Sequence, residues 1–145
     1  MVTFVDSAAR ICRQSPVGEL WRLPCAALAA PFVLSGLSKA FDFAGATAEV
    51  RALTGFEPAW VGAVAVIAAQ LGGAALLLGG GRWTRYGALL LALFVAVATL
   101  LAHSWWTKAG IDRVRDFNAF WEHVAIIGGL GLAAMIVGRR PHKSI

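Results

Sequence analysis

Residues Thr99 to His123 read TLLAHSWWTKAGIDRVRDFNAFWEH. Two apolar runs, the third and fourth of the chain, meet here across the polar loop Thr107 to Asp116. His103 lies near the end of one run, and Glu122 and His123 lie near the start of the next. Ionisable groups are expensive at that depth in a bilayer and commonly mark a function. The rest of the chain is apolar helix arranged around this polar end.

Of the 145 residues, 59% are hydrophobic and 14% charged, with a mean hydropathy of +0.70. An average soluble domain has about 25% charged residues, so this is an integral membrane chain. Its length suits one membrane domain, residues 1–145, with no room for a soluble catalytic module beside several spans. The net charge of +5 does not point to nucleic acid, because the basic residues flank apolar runs instead of forming a stripe on a soluble face.

Four spans are expected, at approximately 20–40, 58–80, 82–106 and 117–138. The apolar part of the first, Leu23 to Ser38, gives about 24 Å of helix against a hydrocarbon core of about 30 Å, which sets Lys39 at the far boundary. Pro24 is tolerated in the first turn, whereas Pro31 is interior and predicts a kink. Between spans one and two, Phe41 to Gly55 mixes apolar residues with Asp42, Glu49 and Arg51 and reads as a short interfacial helix. Residues 1–19 carry Arg10 and Arg13 but no continuous apolar core or small-residue cleavage site. They read as an amphipathic segment on the membrane surface, with Phe4, Val5, Ala8 and Ile11 on one side. The expected fold is an all-α membrane protein, a four-transmembrane-helix bundle with these two additions.

Small residues recur at every fourth position as Ala65, Ala69, Gly73, as Ala88, Ala92, Ala96, and as Ala125, Gly129, Ala133. Such rows permit close helix packing within the bundle, or form the face of a homo-oligomer. An even number of spans creates two sides. One carries Arg10, Arg13, Arg22, Arg82, Arg85, Arg139, Arg140 and Lys143 against Asp6 and Glu19. On the other, Lys39, Arg51, Lys108, Arg113 and Arg115 are balanced by Asp42, Glu49, Glu57, Asp112, Asp116 and Glu122. The positive-inside rule then places both termini in the cytoplasm of a bacterial-type inner membrane. Cys12 and Cys25 fall on that reducing side and form no CxxC pair, which argues for structural thiols over disulfide chemistry.

A common depth connects the polar residues. From Arg22 to Lys39, from Arg85 to His103, and from Arg139 back to Glu122, each helix rises about 26 Å; Gln70 lies deeper, at about 18 Å from Arg82. A cation, an imidazole and a carboxylate at one level predict a polar cluster with Lys39 and Glu122 as its ion pair. Thr99 and Asn118, one turn from His103 and Glu122, extend the polar faces. His123 points about 100° away from Glu122 and ranks lower. A second reading needs no ligand: Lys39 snorkels, Glu122 pairs with Arg115, and His103 sits among headgroups beside Trp105 and Trp106. Two histidines alone do not argue for haem, which would need both rings to point into one cavity. No metal site, Walker loop, dinucleotide fingerprint or nucleophile triad is present, and no intrinsic cofactor is expected.

The run Pro31-Phe-Val-Leu-Ser-Gly-Leu-Ser-Lys39 with Phe41, Asp42 and Phe43, then Gln70-Leu-Gly-Gly-Ala-Ala-Leu-Leu-Leu-Gly79, then Ala98 to His103 with Trp105 and Trp106, and Phe117 to Gly129, resembles the DoxX family of small four-helix membrane proteins. The likeness covers Arg22 to Val137. It departs from the family's usual pattern at Gln70, where many relatives carry glutamate, and at Glu122-His123, where they carry Lys-Asn. The resemblance implies an association with membrane redox systems, including quinone-linked sulfur oxidation and oxidative-stress complexes. It favours an accessory subunit of a larger membrane or redox complex over an enzyme acting alone, with quinone as the candidate ligand at Lys39, His103 and Glu122. The alternatives are a structural or assembly protein whose polar cluster fixes helix register, and a small transporter with Gln70 on its path, the latter without an inverted repeat to support it.

Overall fold

A computed structural model describes residues 21–137, so the N-terminal amphipathic segment, Cys12 and the basic residues from Arg139 onward lie outside the described residues. The described elements are all helical: α1 (Arg22–Phe41), α2 (Phe43–Thr54), α3 (Ala59–Leu78), α4 (Arg82–Ala102), a 3₁₀ turn (Trp105–Thr107) and α5 (Gly110–Val137). Four of them, α1, α3, α4 with its following turn, and α5, are long and apolar enough to cross a membrane. Between 17% and 28% of each spanning window is buried within the protein. The remaining surface, with Leu34, Leu93, Leu100, Leu132 and Ile136 exposed, is left for lipid.

The connections explain how α2 folds back against α1 and α3. Asp42 ends α1, its N–H bonding the Ser38 carbonyl at 2.9 Å, and also starts α2, its carboxylate accepting from the Gly45 N–H at 2.9 Å. The expected interfacial helix is therefore present, folded back by a single residue. It stops at Gly55, which has the positive φ of 65° that a left-handed helix terminus requires. Glu57 then accepts from the Ala59 N–H at 3.0 Å, capping α3, and binds Arg51 of α2 through its other oxygen. That pairing, with the backbone hydrogen bond second, holds the Glu57 carboxyl below its ordinary range. α1 continues as helix through Pro31, and Pro24 lies in its first turn.

α3 packs against α1, α2 and α4, and α4 packs against α5. Leu77, Leu91 and Leu130 are fully buried at the centre. α3 and α4 touch backbone to backbone: a Cβ on Gly87 would stand 2.7 Å from the Gly73 carbonyl oxygen and nearer still to the Leu77 nitrogen, and one on Gly73 would strike Leu91. Gly73 and Ala88, members of the expected small-residue rows, are buried on this seam, but Ala65 and Ala125 are exposed, and Gly87 contributes more than either. Cys25 is a buried free thiol.

One boundary differs from expectation. The fourth span begins at Gly110 and not at Phe117. Gly110, with φ of 61°, turns the chain, Asp112 sits in the first turn where the helix dipole favours an acid, and Asp112 pairs with Arg115 at 3.0 Å. Charges read as a loop thus form the polar first turns of a long helix.

Candidate functional site

At the end of the bundle where α1, α4 and their connections meet the start of α5, a cavity of about 680 Å³ lies among all five helices. That volume is in the range of small-molecule sites. Its wall is mainly apolar, with Phe32 and Phe94 meeting edge to face at 6.4 Å, and it is joined by Val66, Val95 and Ile126. The polar lining consists of Ser35, Lys39, Glu49, Thr54, Gln70, His103 and His123.

Lys39 comes from the last turn of α1 and Glu49 from the middle of α2. The reversal at Asp42 brings them together at 2.6 Å, with the lysine more buried than the carboxylate. Lys39 therefore pairs with Glu49 and not with Glu122. Glu122 and Asn118 are exposed on the outer side of α5. The inner side of that helix is set by Asp116, His123 and Leu130, one residue every seven, with Asp116 and Leu130 buried. Adjacent helical residues are about 100° apart, so turning His123 inward turns Glu122 outward. Arg115 pairs with Asp112 and lies 3.9 Å from Asp116, leaving Glu122 without that partner too.

The histidines meet at the cavity. Their rings are edge to face, with centroids 5.0 Å apart. Thr99, buried on α4, donates its hydroxyl hydrogen to the Val95 carbonyl at 2.6 Å. The Thr99 oxygen, 2.9 Å from Nδ1 of His123, must then accept the hydrogen bond. Neutral His123 is thereby fixed as the Nδ1–H tautomer, leaving its Nε2 lone pair as an acceptor on a ring that lines the cavity. His103 Nδ1 is buried without a hydrogen-bond partner and lies 3.7 Å from Oδ1 of Asp116, whose Oδ2 takes a hydrogen bond from Lys108. Above this cluster, Trp105 contacts Trp106 at 5.8 Å and Phe117 at 5.3 Å, and Phe120 contacts Trp121 at 5.6 Å. Arg113 lies over Trp105 at 5.7 Å.

Gln70 on α3 is the innermost polar residue of the wall. It is 5% exposed, and its Nε2 donates to the Ser35 hydroxyl of α1 at 3.0 Å, while its Oε1 is buried with no partner. Leaving such a carbonyl unsatisfied costs about 1–3 kcal/mol, so the atom is a place where a ligand gains by hydrogen bonding.

The structure thus gathers four of the expected site residues, Lys39, Gln70, His103 and His123, on one cavity, with Thr99 behind His123. Glu122 and Asn118 stand apart. Sequence reading did not anticipate Ser35, Glu49 or Asp116. Ser35 had a signal, lying one turn before Lys39 on the same face. Asp116 had one as well, seven residues before His123, but only if the helix starts early enough to include it.

Compared with known protein families, residues 25–104 match the DoxX profile. The matched segment runs from α1 to the end of α4 and includes Lys39, Gln70, Thr99 and His103, while Asp116 and His123 lie beyond it. No curated protein and no solved structure matches the chain.

Proposed function

The chain is a member of the DoxX family of membrane proteins, and from that premise we propose that it is an accessory subunit of a quinone-linked membrane oxidoreductase, its cavity receiving the quinone ring. The observation that carries this reading is the cavity itself. An apolar chamber of about 680 Å³ combines a buried, unpartnered Gln70 carbonyl with two histidines in contact. Quinones need an apolar slot for the ring and tail and a few fixed polar groups for the ring oxygens. The chain carries no recognisable redox-cofactor motif, so electrons would come from a partner, and its role is to hold the ligand beside that partner. In this reading both termini are cytoplasmic in an inner membrane, and the cavity end faces outward. Affinity purification in mild detergent, with partners and bound small molecules identified by mass, tests it. Failure both to copurify a redox enzyme and to bind a quinone analogue would sink it.

One observation favours a second reading, a structural or assembly subunit with no ligand. Lys39 is satisfied by Glu49, and Lys108 by Asp116, so these charges need nothing from outside. On that reading, Ser35→Ala and His123→Asn change stability but leave the activity of the associated complex intact. On the first they reduce activity without loss of the complex.

A further inference from the structure

We propose that the cavity selects the hydroxyl form of its ligand: a lipophilic ring carrying O–H donors, a hydroquinone, in preference to the corresponding carbonyl form. The proposal rests on reading the cavity as a quinone-class site and adds which redox form it holds. Three features of the wall lead to it. The Nε2 of Gln70 gives one hydrogen to Ser35 at 3.0 Å, and the amide atom with no partner at all is Oε1, which can only accept. Nδ1 of His123 is engaged by Thr99 at 2.9 Å, so in the neutral ring Nε2 can only accept. The donors beside them do not discriminate, because the oxygen of either redox form can accept from them: Lys39 gives one hydrogen to Glu49 at 2.6 Å and keeps others, and the Thr54 hydroxyl gives to the Val50 carbonyl at 2.8 Å.

Ser35 is the informative neighbour. Its oxygen accepts from Gln70 and its own hydroxyl hydrogen remains to be given. A ligand hydroxyl placed at Gln70 donates to Oε1 and accepts from Ser35, satisfying both. A ligand carbonyl can only accept there and leaves Oε1 in an apolar chamber without a partner. At Nε2 of His123 the same asymmetry holds, because a hydroxyl can donate to it and a carbonyl meets that lone pair with its own, whereas an N–H of His103 can give to the oxygen of either form.

The reduced and oxidised forms of one short-chain ubiquinone analogue share ring substituents and tail, so apolar burial cancels between them. Titration calorimetry of the full chain in mild detergent, with decylubiquinol kept under argon and decylubiquinone in air, isolates the hydrogen-bond difference. Decylubiquinol is expected to bind about tenfold more tightly, the loss that one unsatisfied buried acceptor produces. In Gln70→Leu the preference is expected to shrink at least severalfold, with decylubiquinone binding retained as the sign that the cavity is intact. Equal binding of the two forms overturns the inference while leaving the quinone-class reading in place. Tighter binding of decylubiquinone also overturns it, since the amide would then be presenting its NH₂ to the ligand. Binding of neither form overturns both.

Discussion

Replacing Gly87 by alanine adds one methyl group where α3 and α4 touch backbone to backbone. The new Cβ would lie 2.7 Å from the Gly73 carbonyl oxygen and nearer still to the Leu77 backbone nitrogen, against the 3.4 Å where ordinary contact begins, so the helices must separate by more than about 0.7 Å. Neither neighbour is a flexible side-chain end; the obstacles are the Gly73 carbonyl and the backbone at Leu76 and Leu77. Overpacking of this kind costs about 1–3 kcal/mol. Gly72 and Gly128 provide controls within the same protein, because nothing lies within 4 Å of a Cβ at either. There the substitution changes only helix propensity and is expected to be neutral or stabilising by up to about 1 kcal/mol. Each variant can be unfolded by adding dodecyl sulfate to dodecylmaltoside micelles, with helicity followed by circular dichroism. Gly87→Ala should unfold at a clearly lower dodecyl sulfate fraction than Gly72→Ala and Gly128→Ala. If the three variants unfold together, the close approach of α3 and α4 is wrong.

Other expectations concern the polar groups. Ser35→Ala strips Gln70 Nε2 of its partner and should cost about 1–3 kcal/mol, whereas Gln70→Leu removes an atom that is already unsatisfied and should stay within about 1 kcal/mol of wild type; micellar unfolding compares the two. Asp116→Asn removes the charge that Lys108 and His103 face, so it should lower the Tm more than Asp112→Asn, whose carboxylate pairs at the exposed surface. Since Glu57 titrates below its usual 4.5 in the folded state, its contribution is complete above that pH and is lost as pH falls through the lower folded value. The Tm difference between wild type and Glu57→Gln should therefore be constant near neutrality and narrow as pH falls below 4.5, and a difference independent of pH would contradict the Arg51–Glu57–Ala59 linkage.

The fold was readable because lipid leaves few alternatives to long apolar helices, and each span has its own stop signal, such as Gly79 to Gly81 after α3. The interfacial helix was readable from the mixture of Phe41, Phe43 and Leu53 with charges. The site was only half readable. Helix depth follows from counting residues at 1.5 Å each, and it did bring Lys39 and His103 to one end. Rotation about the helix axis does not follow from depth, and it decides between Glu122 and His123. That rotation is set by Leu130 and Ile126 packing inward, a tertiary fact that one misplaced helix start concealed. The Lys39–Glu49 pair depended on the Asp42 reversal, whose tightness no hydropathy pattern records.

The aromatic cluster over the cavity gives the protein an internal optical reporter. Of the six tryptophans, Trp60, Trp105, Trp106 and Trp121 lie at the cavity end, and Trp21 and Trp83 at the other. Trp105 and Trp106 are 5.8 Å apart with planes inclined at 77°, close enough for their indole transitions to couple and skewed enough for that coupling to be optically active. Four of the six tryptophans therefore report on the end where His103, His123 and Asp116 meet, with the Trp83–Tyr86 pair, 6.3 Å apart, contributing from the opposite end. A spectrum recorded without any label would follow the geometry of that end as the surrounding lipid, pH or partner is changed.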